Sequence, residues 1–403
     1  MKTPTVQVGE LALNDSGAFK IGPFGSSLKK TELVESGIPV AGIENVLPNK
    51  FVKGFRRFIT ARKFEELSDY EILPDDILVT TMGTIGRAAS APPDLGRIIF
   101  DSHLFRMRVD TKRVFPPYLC YALNSELVAS QLARMARGAI MEGLNTTILR
   151  ECSIPLPTKP EQQRIAGQLE QADRLVHTRR YALELTDTFL PAAFLDLFGD
   201  PLSLMRRWDR KHFGELLAMG LRNGLSPSTA GAVIVRVLTL SAVTRGIFDS
   251  TSFKLAPFVA EPPNEKRVCS MDFLICRGNG NLSMVGRGRF PPRDTPDCVF
   301  PDTMIAARIK PEMIGKQFLE AVWDSPALRK QIEASARTTN GTHKINQGVI
   351  EEIEIPLPPL RLQQRFAALV ERAKRLHVVQ EETLRQAEHL FQTLLHRAFS
   401  EST

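Results

Sequence analysis

Two stretches of the chain place apolar or small residues at alternating spacings of four and three. The first runs through Ile165, Leu169, Ala172, Val176, Leu183 and Leu190. The second, 201 positions later, runs through Phe366, Val370, Ala373, His377, Leu384 and Phe391. An average spacing of about 3.5 residues is the heptad period, so two long helices are predicted to pair along this seam. Two seam positions are polar in the first copy, Arg179 and Thr186, where the second has Gln380 and Ala387. Polar seam residues weaken pairing but set register, and two copies in one chain can pair antiparallel across a pseudo-two-fold axis. Pro155 and Pro157, like Pro356, Pro358 and Pro359, cannot lie in a helix interior and predict an extended lead-in to each helix. A helix of about 30 residues makes a rod of about 45 Å at ~1.5 Å per residue. Pro191 is predicted to kink or end the first helix near its close.

The lead-ins are themselves repeated: residues 154–164 read IPLPTKPEQQR and residues 355–365 read IPLPPLRLQQR. The repeat reaches further upstream. Gly9-Glu10-Leu11 answers to Gly214-Glu215-Leu216, Asp76-Ile77-Leu78-Val79 to Asp272-Phe273-Leu274-Ile275, and Gly86-Arg87 to Gly286-Arg287. Tyr118-Leu119 recurs as Phe318-Leu319, and Leu144-Asn145 falls on Ile345-Asn346. The offset drifts between 196 and 205 in the mixed regions and holds at 201 in the helical ones. Variable globular parts on a constant frame behave in this way. Two copies imply a pseudo-two-fold, which suits a partner with a two-fold of its own, such as duplex DNA.

A length of 403 residues allows two cores of ordinary size, and 43% apolar with 24% charged residues is a globular balance. No run reaches the ~18 apolar residues of a membrane span, and MKTPTVQVGEL has no apolar signal region, so a cytoplasmic location is expected. The net charge of +7 lies wholly in the mixed regions. There, 19 basic face 16 acidic residues over 1–150 and 21 face 17 over 197–355, while the helical stretches sum to zero. This excess is modest for a nucleic-acid binder. The five cysteines (Cys120, Cys152, Cys269, Cys276, Cys298) form no CxxC, and the spacing of Cys269 to Cys276 fits no usual zinc pattern. Reduced thiols and no metal site are the expectation.

Catalytic motifs are missing from the sequence. An adenine methyltransferase needs Asn or Asp at the head of a Pro-Pro-Tyr/Phe tetrapeptide to accept a hydrogen bond from the target amino group. The nearest match, Phe115-Pro116-Pro117-Tyr118, carries phenylalanine there and reads as a strand-to-helix turn. Gly278-Asn279-Gly280 lacks the flanking unit of a dinucleotide loop, no GxxxxGK[ST] phosphate loop occurs, and the seven histidines make neither HxxxH nor HExxH. No catalysis by this chain is expected.

The duplicated IPLP…EQQRI and IPLP…LQQRF peptides, the turn MGTIGR, the loop KIGPFGSSLKK, the post-helix FLDLFGDP and the terminal LFQTLLHRAF together resemble the specificity (S) subunit of type I restriction–modification enzymes. The resemblance covers essentially the whole chain in the family's order. It implies an α+β fold in which two target-recognition domains in a pseudo-two-fold repeat are separated by two long antiparallel coiled-coil helices. The domains are then 1–157 and 198–358, with the central helix at 158–197 and the C-terminal helix at 359–403. It also implies a non-catalytic subunit that binds double-stranded DNA, two modification (methyltransferase) subunits and restriction/motor subunits. No cofactor is expected on this chain; S-adenosylmethionine, ATP and Mg are implied for the partners. The sequence departs from the family pattern in the second domain, where the turn reads RGNGNLSMVGRG.

Readout of DNA needs Arg for guanine, Asn or Gln for adenine, and Lys, Ser or Thr for phosphates, on exposed loops. Three loop classes supply them. The first holds Lys20, Ser26, Ser27 and Lys29, with Arg222 and Asn223 in the second copy. The second follows a predicted strand and holds Thr81, Thr84 and Arg87, with Arg277, Asn279 and Asn281. The third precedes the lead-ins and holds Arg137, with Arg337, Asn340, His343 and Lys344. Arg277, Asn279 and Arg87 combine a base-reading side chain with a glycine-rich turn. The rival reading is a duplicated protein-binding scaffold with the helices as a rod, which would lack salt-dependent duplex binding.

Overall fold

The computed structural model describes residues 3–25, 27–135, 146–200, 203–339 and 341–399. The chain divides into two compact units, one of residues 1–181 with 381–403 and the other of residues 182–380. Each contains part of both long helices, Lys159–Phe198 and Leu360–Phe399.

In the first unit a four-stranded sheet has the order Phe19–Ile21, Leu104–Met107, Ile77–Thr80, Ala88–Ser90. The second unit repeats it with Arg222–Asn223, Met304–Arg308, Asp272–Cys276 and Gly288–Arg289. The central strands Ile77–Thr80 and Asp272–Cys276 are buried along their whole length. Continuous apolar runs of that kind belong where a strand is covered on both faces. Helix Pro116–Leu123 packs on the first sheet and Lys316–Trp323 on the second. The first of these starts at the Phe115-Pro116-Pro117-Tyr118 turn, with proline at its first positions, where a missing N–H costs nothing. A second sheet in each unit, three-stranded in the first and four-stranded in the second, contains one parallel pair, Ile38–Ala41 with Ile99–Phe100, and Val233–Leu238 with Thr295–Val299.

The repeated lead-ins are strands. Ile154 pairs with Val6 and Ile355 with Lys211, closing each unit from its far end in sequence. Behind them Gln162 and Gln363 lie buried at the start of the two long helices. The Gln162 carboxamide accepts from the Phe115 N–H (2.8 Å) and donates to the carbonyls of Arg113 (3.1 Å) and Pro157 (2.9 Å). The Gln363 carboxamide accepts from Gly315 (2.8 Å) and donates to Met313 (3.4 Å) and Pro358 (2.8 Å). A buried carboxamide with both ends satisfied has few substitutes, which explains why QQR recurs in both copies.

The long helices run antiparallel. In the first unit, the start of one lies beside the end of the other: Arg180 pairs with Glu388 (2.8 Å), Tyr118 rests on Phe399 and Tyr121 on Phe391. In the second, Asp187 meets His377 (3.3 Å), and Phe194 and Phe198 pack on Phe366. Seam residues Leu169, Ala172, Val176, Phe366, Val370 and Ala373 are buried, as are Thr186 and Ala387. Arg179 departs from the expected seam and is exposed, since a guanidinium there escapes desolvation by turning to water. Pro191 corrects a second expectation: the helix continues through it to Phe198. The phenylalanine cluster beyond it, Phe194 and Phe198 against Phe318 and Phe366, supplies packing that outweighs one lost backbone hydrogen bond. Each helix is 40 residues long, beyond the predicted minimum.

Among the described residues no helix is long and apolar enough to cross a membrane. Cys120, Cys152, Cys276 and Cys298 are buried free thiols, and Cys269 is half-buried and also free.

Candidate functional site

The first loop class leaves the sheet at a glycine that no other residue can replace. A Cβ on Gly22 would stand 1.9 Å from the Asp101 carbonyl oxygen, and one on Gly224 would stand 2.1 Å from that of Pro301. Both loops are thereby pinned against the strand-entry turn beside them. Ahead of the glycine, Lys20 sits within the strand, its ammonium 2.7 Å from Asp69 and 4.5 Å over the Tyr70 ring. That ammonium holds the Asp69 carboxyl below the usual range. Ser27 and Lys29 are exposed in the loop, where the Lys29 N–H donates to the Glu32 carboxylate (2.7 Å). Ser26 and Arg137 lie outside the described residues.

Arg222 occupies the strand position that Lys20 holds in the first unit, since each faces the same place on the neighbouring strand, Ala306 and Arg106 respectively. Its guanidinium is turned inward, 2.6 Å from the buried Asp272 carboxylate and 2.6 Å from the Glu265 carbonyl. Asn223 is exposed, and its side-chain oxygen accepts from Gln347 (3.2 Å).

The turn after the central strand is built alike in both units. Thr81 and Arg277 each donate their N–H to the next strand's entry, to the His103 carbonyl (2.9 Å) and the Thr303 carbonyl (2.8 Å). Gly86 and Gly286 close the turns on Thr80 and Cys276, both at 2.8 Å. In the first unit Thr81 is buried, Thr84 is exposed and Arg87 is half-buried beside Gly86. In the second, Arg277 is half-buried and donates to the Asp302 carbonyl (3.3 Å). The side-chain oxygen of Asn279 accepts the Asn281 N–H (2.9 Å), and that of Asn281 caps the Ser283 N–H (3.0 Å). Both asparagines therefore shape the turn with the oxygen that would otherwise face a ligand.

The third class corrects the sequence reading, because residues 337–339 and 342–344 are strands rather than loop. Arg337–Thr339 pairs with Thr342–Lys344, and Gly278–Asn279 adds a third strand. The second and third classes of the second unit thus merge into one small sheet carrying Asn279, Arg337, His343 and Lys344. Asn340 lies outside the described residues; Gly341 has φ +73°, the left-handed value such turns need. Among the described residues no group of His, Cys, Asp and Glu is arranged to hold a metal ion.

A family model described as the type I restriction modification DNA specificity domain matches residues 19–185, the span from the first glycine loop to the first long helix. The chain is 23% identical to the EcoKI specificity subunit of Escherichia coli K12 over 389 residues, 91% of this chain and 82% of that one. It is 22% identical to the StySPI specificity subunit of Salmonella potsdam, with the same coverage. The similarity along the chain is thus to specificity subunits of type I restriction–modification enzymes. The fold agrees: the S subunit from M. genitalium superposes with a TM-score of 0.56 at 16% identity, over 99% of this chain and 96% of that one. A chain from a type I R-M complex superposes with a TM-score of 0.56 at 18% identity, over 98% and 97%.

Two further residues beside this site carry no motif in the sequence. Thr338 is exposed on the hairpin, its hydroxyl 3.0 Å from the His343 Nδ1. Gln347 follows the hairpin and joins it to the first loop class through Asn223. Asn340-Gly341 between RTT and THK is the two-residue hairpin signature, and would have exposed Thr338 by giving the register; nothing local marks Gln347, whose partner is 124 positions away.

Proposed function

We propose that this chain recognises DNA sequence as the specificity subunit of a type I restriction–modification complex, each unit reading one half of a bipartite target. The repetition carries the reading: two units of one strand order each set a glycine-pinned loop and a post-strand turn beside one another. The match to specificity subunits runs through both. The chain docks two methyltransferase subunits and, through the assembled complex, restriction/motor subunits, in the cytoplasm. It is not itself a catalyst, which the missing methyltransferase tetrapeptide and phosphate loop support. S-adenosylmethionine, ATP and Mg act on the partner subunits.

Co-expression with the cognate methyltransferase subunits, followed by mapping of methylated adenines, tests the reading. A motif in two halves around an unread gap is expected. The purified chain alone should transfer no methyl group and hydrolyse no ATP. A chain that neither joins methyltransferase subunits nor binds duplex DNA in a salt-dependent way would be a protein-binding scaffold instead.

A further inference from the structure

The hairpin Arg337–Lys344 has two faces of different chemistry. Register sets Arg337 opposite Lys344, with Gly278 across from Lys344 on the other side; Thr338 stands opposite His343, which stands opposite Asn279. Side chains alternate along a strand, so one face carries Arg337 and Lys344, and the other carries Thr338, His343 and Asn279. A Cβ on Gly278 would lie 3.2 Å from the Lys344 side chain, so the glycine keeps the first face clear. The 3.0 Å contact between Thr338 and His343 confirms the second.

Like charges directly opposite each other destabilise an antiparallel pair. Arg337 and Lys344 are both exposed, and no acidic group forms an ion pair with either among the described residues. An anion from outside is what this arrangement lacks. The second face is neutral, and its polar atoms are held in place. The Thr338 hydroxyl engages Nδ1 of His343 and leaves Nε2 directed elsewhere, while the Asn279 oxygen is spent within its turn. Positioned neutral donors and acceptors suit base edges, and mobile cations suit phosphates.

We infer that this hairpin enters the major groove as a tilted ribbon, with Thr338 and His343 reading base edges while Arg337 and Lys344 hold the phosphate wall. The groove, about 12 Å wide, admits a two-stranded ribbon. This rests on the DNA-recognition reading above and adds a division of labour between its residues.

The test uses the full chain assembled with its methyltransferase subunits, the duplex mapped by methylation, and a duplex with the second-unit half scrambled. Arg337→Ala and Lys344→Ala should each weaken both duplexes by the same factor and lower the salt slope by about 0.9, leaving the methylated motif unchanged. His343→Ala and Thr338→Val should leave the slope alone, weaken the mapped duplex by roughly 5- to 150-fold, and relax one position of a single half-site. His343→Gln, which keeps a donor and an acceptor, should shift the preferred base rather than abolish binding. Melting temperatures equal to the parent's establish that each variant is folded. If the parent complex binds and methylates a bipartite motif but both pairs of variants behave alike, or all are neutral, the two-face assignment is wrong while DNA recognition stands. If the parent shows no salt-dependent binding to either duplex, the recognition reading itself fails.

Discussion

The central sheets of the two units bury a carboxylate at the same place and satisfy it differently. In the first unit Asp76 accepts the Leu73 N–H (2.8 Å) and has Arg108 at 3.4 Å and Arg106 at 3.9 Å. Arg106, fully buried, spends its guanidinium on the carbonyls of Asp69, Glu71 and Gly17 (2.7–3.0 Å). Burial pushes the Asp76 carboxyl up. In the second unit Asp272 is gripped by Arg308 (2.9 Å) and by Arg222 (2.6 Å), while Ala306 stands where Arg106 does. The buried guanidinium has moved one strand across the sheet, into the position that Lys20 fills in the first unit. A frame can thus keep its buried charge pair while exchanging the strand that supplies the cation. A residue that resembles a DNA-facing arginine by sequence, Arg222, is spent on that frame.

The largest effect follows from removing the carboxylate. Asp272→Ala leaves two arginines without their anion and should destabilise the second unit by about 3–5 kcal/mol, the cost of breaking a buried pair. Asp76→Ala should cost about 1–3 kcal/mol, because Arg106 keeps its carbonyls. Hydrogen exchange resolved by unit reads both, and equal losses would break the comparison. Arg222→Ala should be rescued in part by Ala306→Arg, which restores the first unit's arrangement; no recovery would mean that the strand position matters beyond its charge.

Next come the paired carboxamides. Gln162→Ala and Gln363→Ala each strand buried backbone groups, and each should cost about 1–3 kcal/mol in its own unit alone. Here the two units should agree, since the partners match one for one. A loss confined to one of them would show that the repeated motif has diverged in role.

The smallest effect is a pH dependence at one matched helix position. Cys120 in the first unit is pushed up to about 12 by burial and stays neutral. In the second unit the position holds Glu320, whose carboxylate accepts the Phe290 N–H (2.7 Å) and whose pKa burial raises. A raised folded pKa means that the native state favours the protonated carboxyl. The stability this adds is complete below the unfolded value of about 4.3 and is lost as pH rises through the folded one. Glu320→Gln keeps the acceptor without the charge, so it should be more stable than the parent at pH 7, with the advantage gone below about pH 4. Denaturant melts across that range check the sign, and an advantage that grows on acidification would reverse it.

Period and repetition are readable from residue order alone. Heptad spacing put Leu169, Val176, Phe366 and Val370 in a seam, because a helix brings every third or fourth residue to one side whatever surrounds it. Two copies of IPLP…QQR announced two units of one design, and the Pro116-Pro117 turn announced a helix start. Local rules of this kind need no partner. Whatever depends on the residue standing across the sheet needed the folded chain. Arg222 was legible as a cation and not as a partner of Asp272, fifty positions away. Asn279 was legible as a base-reading side chain and not as a turn cap. Pro191 stays within its helix because aromatic packing beyond it outweighs a local penalty. The register that separates Thr338 and His343 from Arg337 and Lys344 came from strand pairing, and a slip of one residue would have exchanged the faces. Whether a charged side chain faces a ligand or the protein's own core is settled by which acceptors lie nearest, and that distance is a property of the folded chain.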